Sequence, residues 1–166
     1  MPIVANDIDF HLSGGASNTD QNASLGGVIS STELTDATLH NLFDQVSSAE
    51  SAAGDTEYRC VYVKNSHGTL TLQNATVEIQ TDTPSTDTDV EIAVGSAAVN
   101  GTEQTVADES TAPTGVTFET GSTALALGNI PAGEHKAVWI KRVVSAAASA
   151  YNHDSVILEV NGDTGA

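Results

Sequence analysis

Positive charge is scarce in this chain of 166 residues. Five Lys and Arg residues face 22 Asp and Glu residues, so the formal net charge is −17 at pH 7. Such a surface repels both phosphate backbones and anionic lipid headgroups. The sequence therefore predicts neither a nucleic-acid-binding protein nor a membrane-surface protein. The same acidity, combined with so little Lys, is also typical of proteins adapted to a saline habitat.

Cysteine and long apolar runs are also lacking. The single cysteine, Cys60, excludes an internal disulfide framework and predicts a buried, inert thiol in the middle of a strand. No apolar run approaches the roughly 20 residues that a membrane-spanning helix needs. The start, Met-Pro-Ile-Val-Ala-Asn-Asp, has no basic region and no apolar stretch, so no secretory signal is predicted.

Aromatic residues make up only 4% of the chain, and Thr, Ser and Val are abundant. Short segments in which apolar and polar residues alternate are separated by Gly, Asn and Pro turns, a pattern typical of β-strands. Strands are predicted near residues 8–12, 57–64, 70–72, 77–79, 90–94, 116–118, 125–127, 135–144 and 156–160. Their number and spacing predict an all-β fold, an antiparallel β-sandwich of immunoglobulin-like or jelly-roll-like type.

Two segments depart from this pattern. Leu39, Leu42, Phe43 and Val46 recur at helical spacing, which predicts one short helix within residues 35–46. Residues 16–27 are small and polar, and we expect them to form an extended N-terminal arm that contacts other subunits. The expected organisation is an N-terminal strand with its arm over residues 1–30, followed by a β-sandwich domain over residues 31–166.

The strand at residues 57–64 is apolar on both faces, which permits two interpretations. It is either a central strand covered in part by the arm, or a strand with one face buried by another chain, because aromatic residues with Arg are typical of interface cores. The strand with Trp139, followed by two basic residues, poses the same choice. The interface candidates are Leu25, Val28, Tyr58, Arg59, Tyr62, Trp139, Lys141, Arg142 and Tyr151.

Few patterns point to chemistry. The sequence has no nucleophile-elbow or metalloprotease motif, and its five His residues are scattered singly, so we predict a non-enzymatic protein without catalytic residues. Four carboxylates cluster at one loop-to-strand junction and are weak candidate ligands for Ca²⁺, the alternative being an acidic hydrated loop. They are Asp82, Asp87, Asp89 and Glu91. No other cofactor is predicted.

Five segments carry a resemblance to a known family. They are DFHLSGGASNTDQNASLGGVIS, GDTEYRCVYVKNSHGTLTLQNATVEI, VNGTEQTVADESTAPTGVTF, GNIPAGEHKAVWIKRVV and DSVILEVNGD. Together they span nearly the whole chain, which resembles small virion structural proteins of tailed bacteriophages. The IPAGEHKAVWI segment and the final strand are also similar, less specifically, to immunoglobulin-like sandwich domains in general.

The resemblance implies a non-enzymatic β-sandwich that binds other virion proteins, either the major capsid protein or tail proteins, and forms a homo-oligomer. Its expected role is capsid decoration, in which a cement protein stabilises the particle. The alternatives are a tail or baseplate component and, from another class, a host-surface or glycan-binding module. The expected location is the virion, after folding in the host cytoplasm, where a single reduced cysteine is unexceptional.

Overall fold

The computed structural model describes residues 1–164. It contains ten strands and one α-helix. The strands are β1 (Ile8–Leu12), β2 (Gly26–Gly27), β3 (Asp55–Asn65), β4 (Leu72–Thr81), β5 (Thr88–Val94), β6 (Glu103–Thr105), β7 (Glu119–Thr120), β8 (Leu125–Ile130), β9 (His135–Val144) and β10 (Ile157–Thr164), and the helix is α1 (Ser48–Ala53). Single 3₁₀ turns lie at Ala5–Asp7 and Gln21–Ala23.

All strand pairs are antiparallel, and they form three sheets. The largest sheet has five strands in the order β1-β3-β9-β5-β7, the second has the order β10-β4-β8, and the third pairs β2 with β6. The five-stranded and three-stranded sheets pack face to face. The prediction of an all-β antiparallel sandwich is confirmed.

The main core lies between these two sheets. The five-stranded sheet contributes one set of alternating side chains, which includes Val61, Val63, Val138 and Ile140, and the three-stranded sheet contributes Leu72, Val77, Ile79, Leu127 and Ile130. These side chains share one face of each strand because successive strand residues point to opposite faces. Each of them is almost completely buried.

The other face of the five-stranded sheet is also buried, which explains why β3 and β9 are apolar on both faces. Cys60, Tyr62 and Trp139 form a second core there, and each is fully inaccessible to solvent. Loop residues from 25–29 and 106–118 cover them, together with the small β2–β6 sheet. The chain itself thus supplies the cover, and β3 is a central strand.

The helix lies later in the chain than predicted. Residues 35–46 form turns, in which Ala37 and His40 adopt positive φ angles of 54° and 57° that interrupt any helix. The helix α1 begins instead after Ser47, whose hydroxyl accepts a hydrogen bond from the Glu50 N–H while the Glu50 carboxylate accepts one from the Ser47 N–H. The prediction of a helix at residues 35–46 is therefore wrong.

The predicted arm is folded onto its own sheet. The Cys60 N–H donates to the Ser24 carbonyl over 2.8 Å, and the Ser24 hydroxyl donates to the Cys60 carbonyl over 2.7 Å. Close packing also demands glycine here, because a Cβ on Gly26 would lie 1.8 Å from the Gln104 carbonyl oxygen. Residues 24–27 are thus part of the second core's cover, so this end of the predicted arm packs on its own sheet; the contact of residues 16–27 with other subunits stays a prediction.

The predicted strands near 70–72 and 77–79 belong to one strand, and the last strand continues beyond its predicted end at residue 160. Gln73 and Asn74 belong to β4, and Asn161 and Gly162 belong to β10. Both sites coincide with breaks in the pairing register, and Asn74 has a φ of 51°. Such β-bulges use turn-type residues without ending the strand.

The helix α1 and the two 3₁₀ turns are too short to cross a bilayer.

Candidate functional site

An open groove runs along one side of the sandwich, where the edge strand β1 of one sheet faces the edge strand β10 of the other. Its volume is about 490 Å³. The apolar side chains along it include those of Ile3, Ile8, Phe10, Leu34, Leu158 and Val160. They pack against the main core yet remain partly accessible, so the groove is a place where the core reaches the surface.

The rim of this groove is acidic. Asp9, Glu33, Asp36 and Glu159 line it, and no Lys, Arg or His within residues 1–164 does so. Asp9 accepts a hydrogen bond from the Ser66 hydroxyl over 2.9 Å, and Glu159 accepts one from the Gln80 side-chain amide over 2.7 Å. These donors are neutral, and the charge of Asp9 is offset in part by Lys64, which lies opposite it on β3.

The two strand edges that border the groove differ in their backbone pairing. The outer edge of β1 is covered, because Leu34 N–H donates to the Phe10 carbonyl over 2.7 Å and Leu12 N–H donates to the Thr32 carbonyl over 3.0 Å. Strand β10 is the outermost strand of its sheet, and beyond it no further strand follows in the described chain. An unpaired edge of this kind is a template for an added strand.

A buried charge network lies elsewhere, around the start of β3. Glu57 and Arg59 are almost completely buried, and Arg142 pairs with the Glu57 carboxylate. The Arg59 guanidinium donates to the Glu109 carboxylate over 2.5 Å and to the Asn22 side-chain oxygen over 3.1 Å. The Phe43 ring lies 4.8 Å from the Arg142 guanidinium carbon and 5.4 Å from that of Arg59.

This network joins separate loops to the sheet. Arg142 Nη1 also donates to the Asp44 carbonyl over 2.8 Å. The loop with residues 43 and 44 and the loop with Glu109 are therefore both attached to the two arginines of the sheet. Burial raises the pKa of Glu57 even though Arg142 and Arg59 act in the opposite direction. The Glu57 Oε1 atom lies 3.6 Å from Arg59 Nη2, which is too far for a hydrogen bond. Arg59 therefore lowers the pKa of Glu57 through its charge alone, and burial outweighs the two arginines. Glu57 and Arg59 at its centre are closed to solvent, and we assign the network a structural role.

A second polar cluster surrounds Glu103. Burial acts to raise the pKa of its carboxyl group, but hydrogen bonds from the Ala97 N–H, the Ser96 hydroxyl and the Gln104 N–H outweigh burial and lower it. The nearby Lys136 ammonium donates to the Gly95 carbonyl over 2.9 Å and to the Ala97 carbonyl, and burial lowers its pKa. Every group has a partner within the chain, so this cluster ties loop 95–104 to the sheet.

Three predicted interface residues are internal. Arg59, Tyr62 and Trp139 have no accessible surface, and their own chain encloses them. Their burial corrects their assignment as contact residues. They were chosen because aromatic and Arg side chains lie on a strand that is apolar on both faces. That pattern indicates the second core instead.

The other predicted interface residues lie at or near the surface. Tyr58 is half-buried against the Phe118 ring, with the ring centroids 5.6 Å apart, and Lys141 donates to the Glu91 carboxylate over 2.7 Å. Leu25 and Arg142 are also partly buried. Val28 and Tyr151 expose about half of their surface, 47% and 54%. These residues are not gathered into one patch with the groove, whose lining includes none of them.

The four carboxylates predicted as a weak Ca²⁺ site bind different neighbours. Asp82 accepts from the Thr83 N–H, Asp87 accepts from the Ser149 N–H and Glu91 pairs with Lys141, while Asp89 is exposed. Across residues 1–164, no three His, Cys, Asp or Glu side chains converge to hold a metal ion. The structure therefore does not bring this predicted cluster together as a site.

The sequence did not identify the groove residues as a site. Phe10, Leu158 and Val160 were assigned to strands, and only the topology brings their strands to one side of the sandwich. A usable signal did exist, because both the first and the last strand carry acidic residues, Asp9 and Glu159, between apolar ones. That alternation is typical of a strand with one accessible face.

Comparison of the chain with protein-family models, with curated proteins and with solved structures found no match.

Proposed function

We propose that this chain is a non-enzymatic structural protein of a virion, and that it decorates the capsid as a cement protein. In this role it binds coat subunits on the outside of the shell and stabilises the particle. The proposal joins the sequence resemblance to small virion proteins of tailed phages with the form of the groove between β1 and β10.

The groove is the observation that carries the proposal. It is open, apolar side chains and an acidic rim line it together, and one of its borders is an unpaired strand edge. Small-molecule sites enclose most of their ligand, whereas an open groove of this kind beside a free strand edge suits a protein segment. A modest contact of this kind becomes strong when a symmetric shell repeats it many times and when neighbouring copies act together.

The charge of the chain supports an external position. With a net charge of −17, the protein would be repelled by packaged nucleic acid, and a place outside the shell avoids that repulsion. The same charge keeps free subunits apart before assembly, because like-charged proteins resist association. Three of the five basic side chains, Arg59, Lys141 and Arg142, already pair with carboxylates of their own chain.

A tail or baseplate position belongs to the same class of function and differs in copy number. The glycan-binding alternative loses its largest aromatic side chain, because Trp139 is buried, and retains the exposed Tyr151.

Imaging of purified particles tests the proposal. Particles from the producing cells would be examined by cryo-electron microscopy with a gold-labelled antibody against this chain. We expect label over the whole shell, at a copy number comparable to that of the coat subunit. Label confined to the tail would favour the tail position, and particles without the chain would refute a virion role.

A further inference from the structure

We infer that the groove between β1 and β10 binds an extended segment of a coat subunit, which adds as a fourth strand to the edge of β10 and alternates apolar with basic side chains. The inference rests on the proposed function for the source of the segment. The chemistry of the segment follows from the groove itself.

The backbone of β10 defines where the segment would lie. Strand β10 pairs regularly with β4 from Leu158 to Asn161, and register breaks flank this stretch on both sides. A strand added along the regular stretch would form main-chain hydrogen bonds with the outer edge of β10, as extended peptides do at other exposed sheet edges. The bulges restrict the addition to this short stretch, because they distort the edge beyond it.

The side chains of β10 define the pattern of the segment. Leu158 and Val160 point towards the core and the groove floor, whereas Glu159 lies between them and therefore points to the other face of the strand. A neighbouring strand has the same period of two. Its inward side chains would meet Leu158, Val160 and Phe10, and its outward side chains would meet Glu159.

The rim charges favour a basic segment over a second copy of this chain. Asp9, Glu33, Asp36 and Glu159 line the groove; Lys64 lies opposite Asp9 on β3, whereas the cross-strand partner of Glu159 is another carboxylate, Glu78. Pairing the β10 edges of two copies would bring two such acidic rims together, which costs free energy through like-charge repulsion. Lys or Arg side chains on the incoming segment would instead neutralise them. A homo-oligomer of this protein is therefore expected to use a different surface.

Peptide binding to the purified full-length protein tests the inference. The probe is fluorescein-labelled Lys-Val-Lys-Val-Lys-Val-Lys-amide, and the matched peptide has the same residues in block order, Lys-Lys-Lys-Lys-Val-Val-Val-amide. Fluorescence anisotropy at physiological salt is expected to show about tenfold tighter binding of the alternating peptide. Equal affinity of the two peptides would overturn the inference, since charge attraction alone would then explain binding, and so would no binding at all.

A matched pair of variants locates the site. Glu159→Lys reverses a charge in the groove, and Asp89→Lys makes the same change at an exposed position on β5, outside the groove. We expect Glu159→Lys to weaken the alternating peptide about tenfold and Asp89→Lys to change its affinity less than about twofold. Equal effects of the two variants would contradict the assignment.

Amide hydrogen exchange on the wild-type protein tests the same site without any variant. The peptide should slow exchange within Leu158–Asn161 and leave β8, the opposite edge of the same sheet, unchanged. Slowing confined to β8 would overturn the inference. Protection of β10 that already exists without peptide, in a protein that sediments as a dimer, would identify a second copy as the occupant and would also overturn it.

The outcome for the groove is separable from that for the virion role. If Glu159→Lys sediments with particles as well as the wild type does, the proposed function stands and the groove assignment fails. If the peptide data favour the groove but the protein does not sediment with particles, the groove is a peptide site and the virion role fails.

Discussion

Tyr62, on the five-stranded sheet, attaches the small β2–β6 sheet to it. Its ring is buried in the second core, edge-on to His135 at 4.8 Å between centroids. Its hydroxyl donates to the Gly27 carbonyl and accepts a hydrogen bond from the Glu103 N–H over 3.0 Å. Because Gly27 belongs to β2 and Glu103 to β6, one phenol connects the small sheet to the large one. Burial raises the pKa of Tyr62 to about 12.

Replacing Tyr62 by Phe should therefore cost more than the loss of one surface hydroxyl. Tyr62→Phe leaves the partly buried Gly27 carbonyl and the buried Glu103 N–H without their partner, which we expect to lower the free energy of unfolding by about 1–3 kcal/mol. The exposed Tyr151 provides the matched control, and Tyr151→Phe should change stability by less than about 0.5 kcal/mol. Urea unfolding measures both variants, and equal effects would contradict this role of Tyr62.

The same residue predicts an alkaline pH dependence. Because the pKa of Tyr62 in the folded protein is raised above its ordinary value of 10.0, its contribution to stability is complete below about pH 10 and is lost as pH rises through about 12. The stability difference between the wild type and Tyr62→Phe should shrink across that interval. Unfolding at a series of alkaline pH values measures it, and a constant difference would contradict the assignment.

The burial of Cys60 could be predicted from the sequence, whereas that of Arg59 could not. The place of Cys60 in mid-strand predicted a buried thiol, and the structure gives it no accessible surface. Arg59, its neighbour, was misread because an Arg side chain is rarely fully buried unless it is paired. Its partners Glu109 and Asn22 are 50 and 37 residues away in the sequence, so no local pattern could reveal the pairing.

At the scale of elements, period-two alternation predicted the long strands well. Strands β1, β3, β5 and β9 occupy the segments expected of them, because burial on alternate positions leaves a local pattern. The prediction failed where local signals have two meanings. Gln73-Asn74 and Asn161-Gly162 resemble turns but form bulges, and the apolar spacing at residues 39–46 reflects Leu42 and Phe43 packing on the core from a loop.

The helix was missed although its start carried a sequence signal. Ser47 and Glu50 have the Ser-x-x-Glu spacing of a capping box, and Gly54, with a φ of 80°, follows the last helical residue. A six-residue helix has too few turns to display apolar periodicity. The sequence allowed the arm to cover β3 but not the manner of its attachment, which depends on bonds from Ser24 to the distant Cys60.

The charge network holds two loops against the start of β3, and Arg142 is its centre. Arg142→Met removes the partner of the buried Glu57 carboxylate, which we expect to cost about 3–5 kcal/mol. The neighbouring Lys141→Met breaks a more exposed pair with Glu91 and should cost at most about 1 kcal/mol. Urea unfolding near neutral pH compares the two variants, and similar costs would show that the network does not anchor these loops.

The cost of Arg142→Met should also depend on pH. Burial already raises the pKa of Glu57, and losing Arg142 raises it further, so the variant carries an unfavourable charge that protonation removes. Its deficit relative to the wild type should shrink as pH falls from about 7 to about 5. A deficit that grows over this range would contradict the assignment.

At the scale of the whole molecule, self-repulsion dominates the electrostatics. A net charge of −17 on a chain of 166 residues disfavours the compact state, and salt screens this repulsion. We expect Tm to rise steadily with NaCl between about 0.05 M and about 1 M. A triple variant, Asp36→Asn, Asp89→Asn and Asp163→Asn, should show a smaller rise, because it removes three exposed charges.

Differential scanning calorimetry measures both salt series. A Tm that does not change with NaCl, or an equal rise in the triple variant, would contradict the importance of self-repulsion. A protein that unfolds at low salt and folds only at high salt would additionally favour a saline habitat as the origin of the acidity.

An acidic sandwich that decorates a capsid, as proposed, should stabilise the coat shell, and shell stability tests this role most directly. Calorimetry would follow the thermal transition of coat shells without the protein, with saturating wild type, and with saturating Glu159→Lys. We predict that the wild type raises the shell's transition temperature and that Glu159→Lys raises it less. A transition temperature that saturating wild-type protein leaves unchanged would contradict the account.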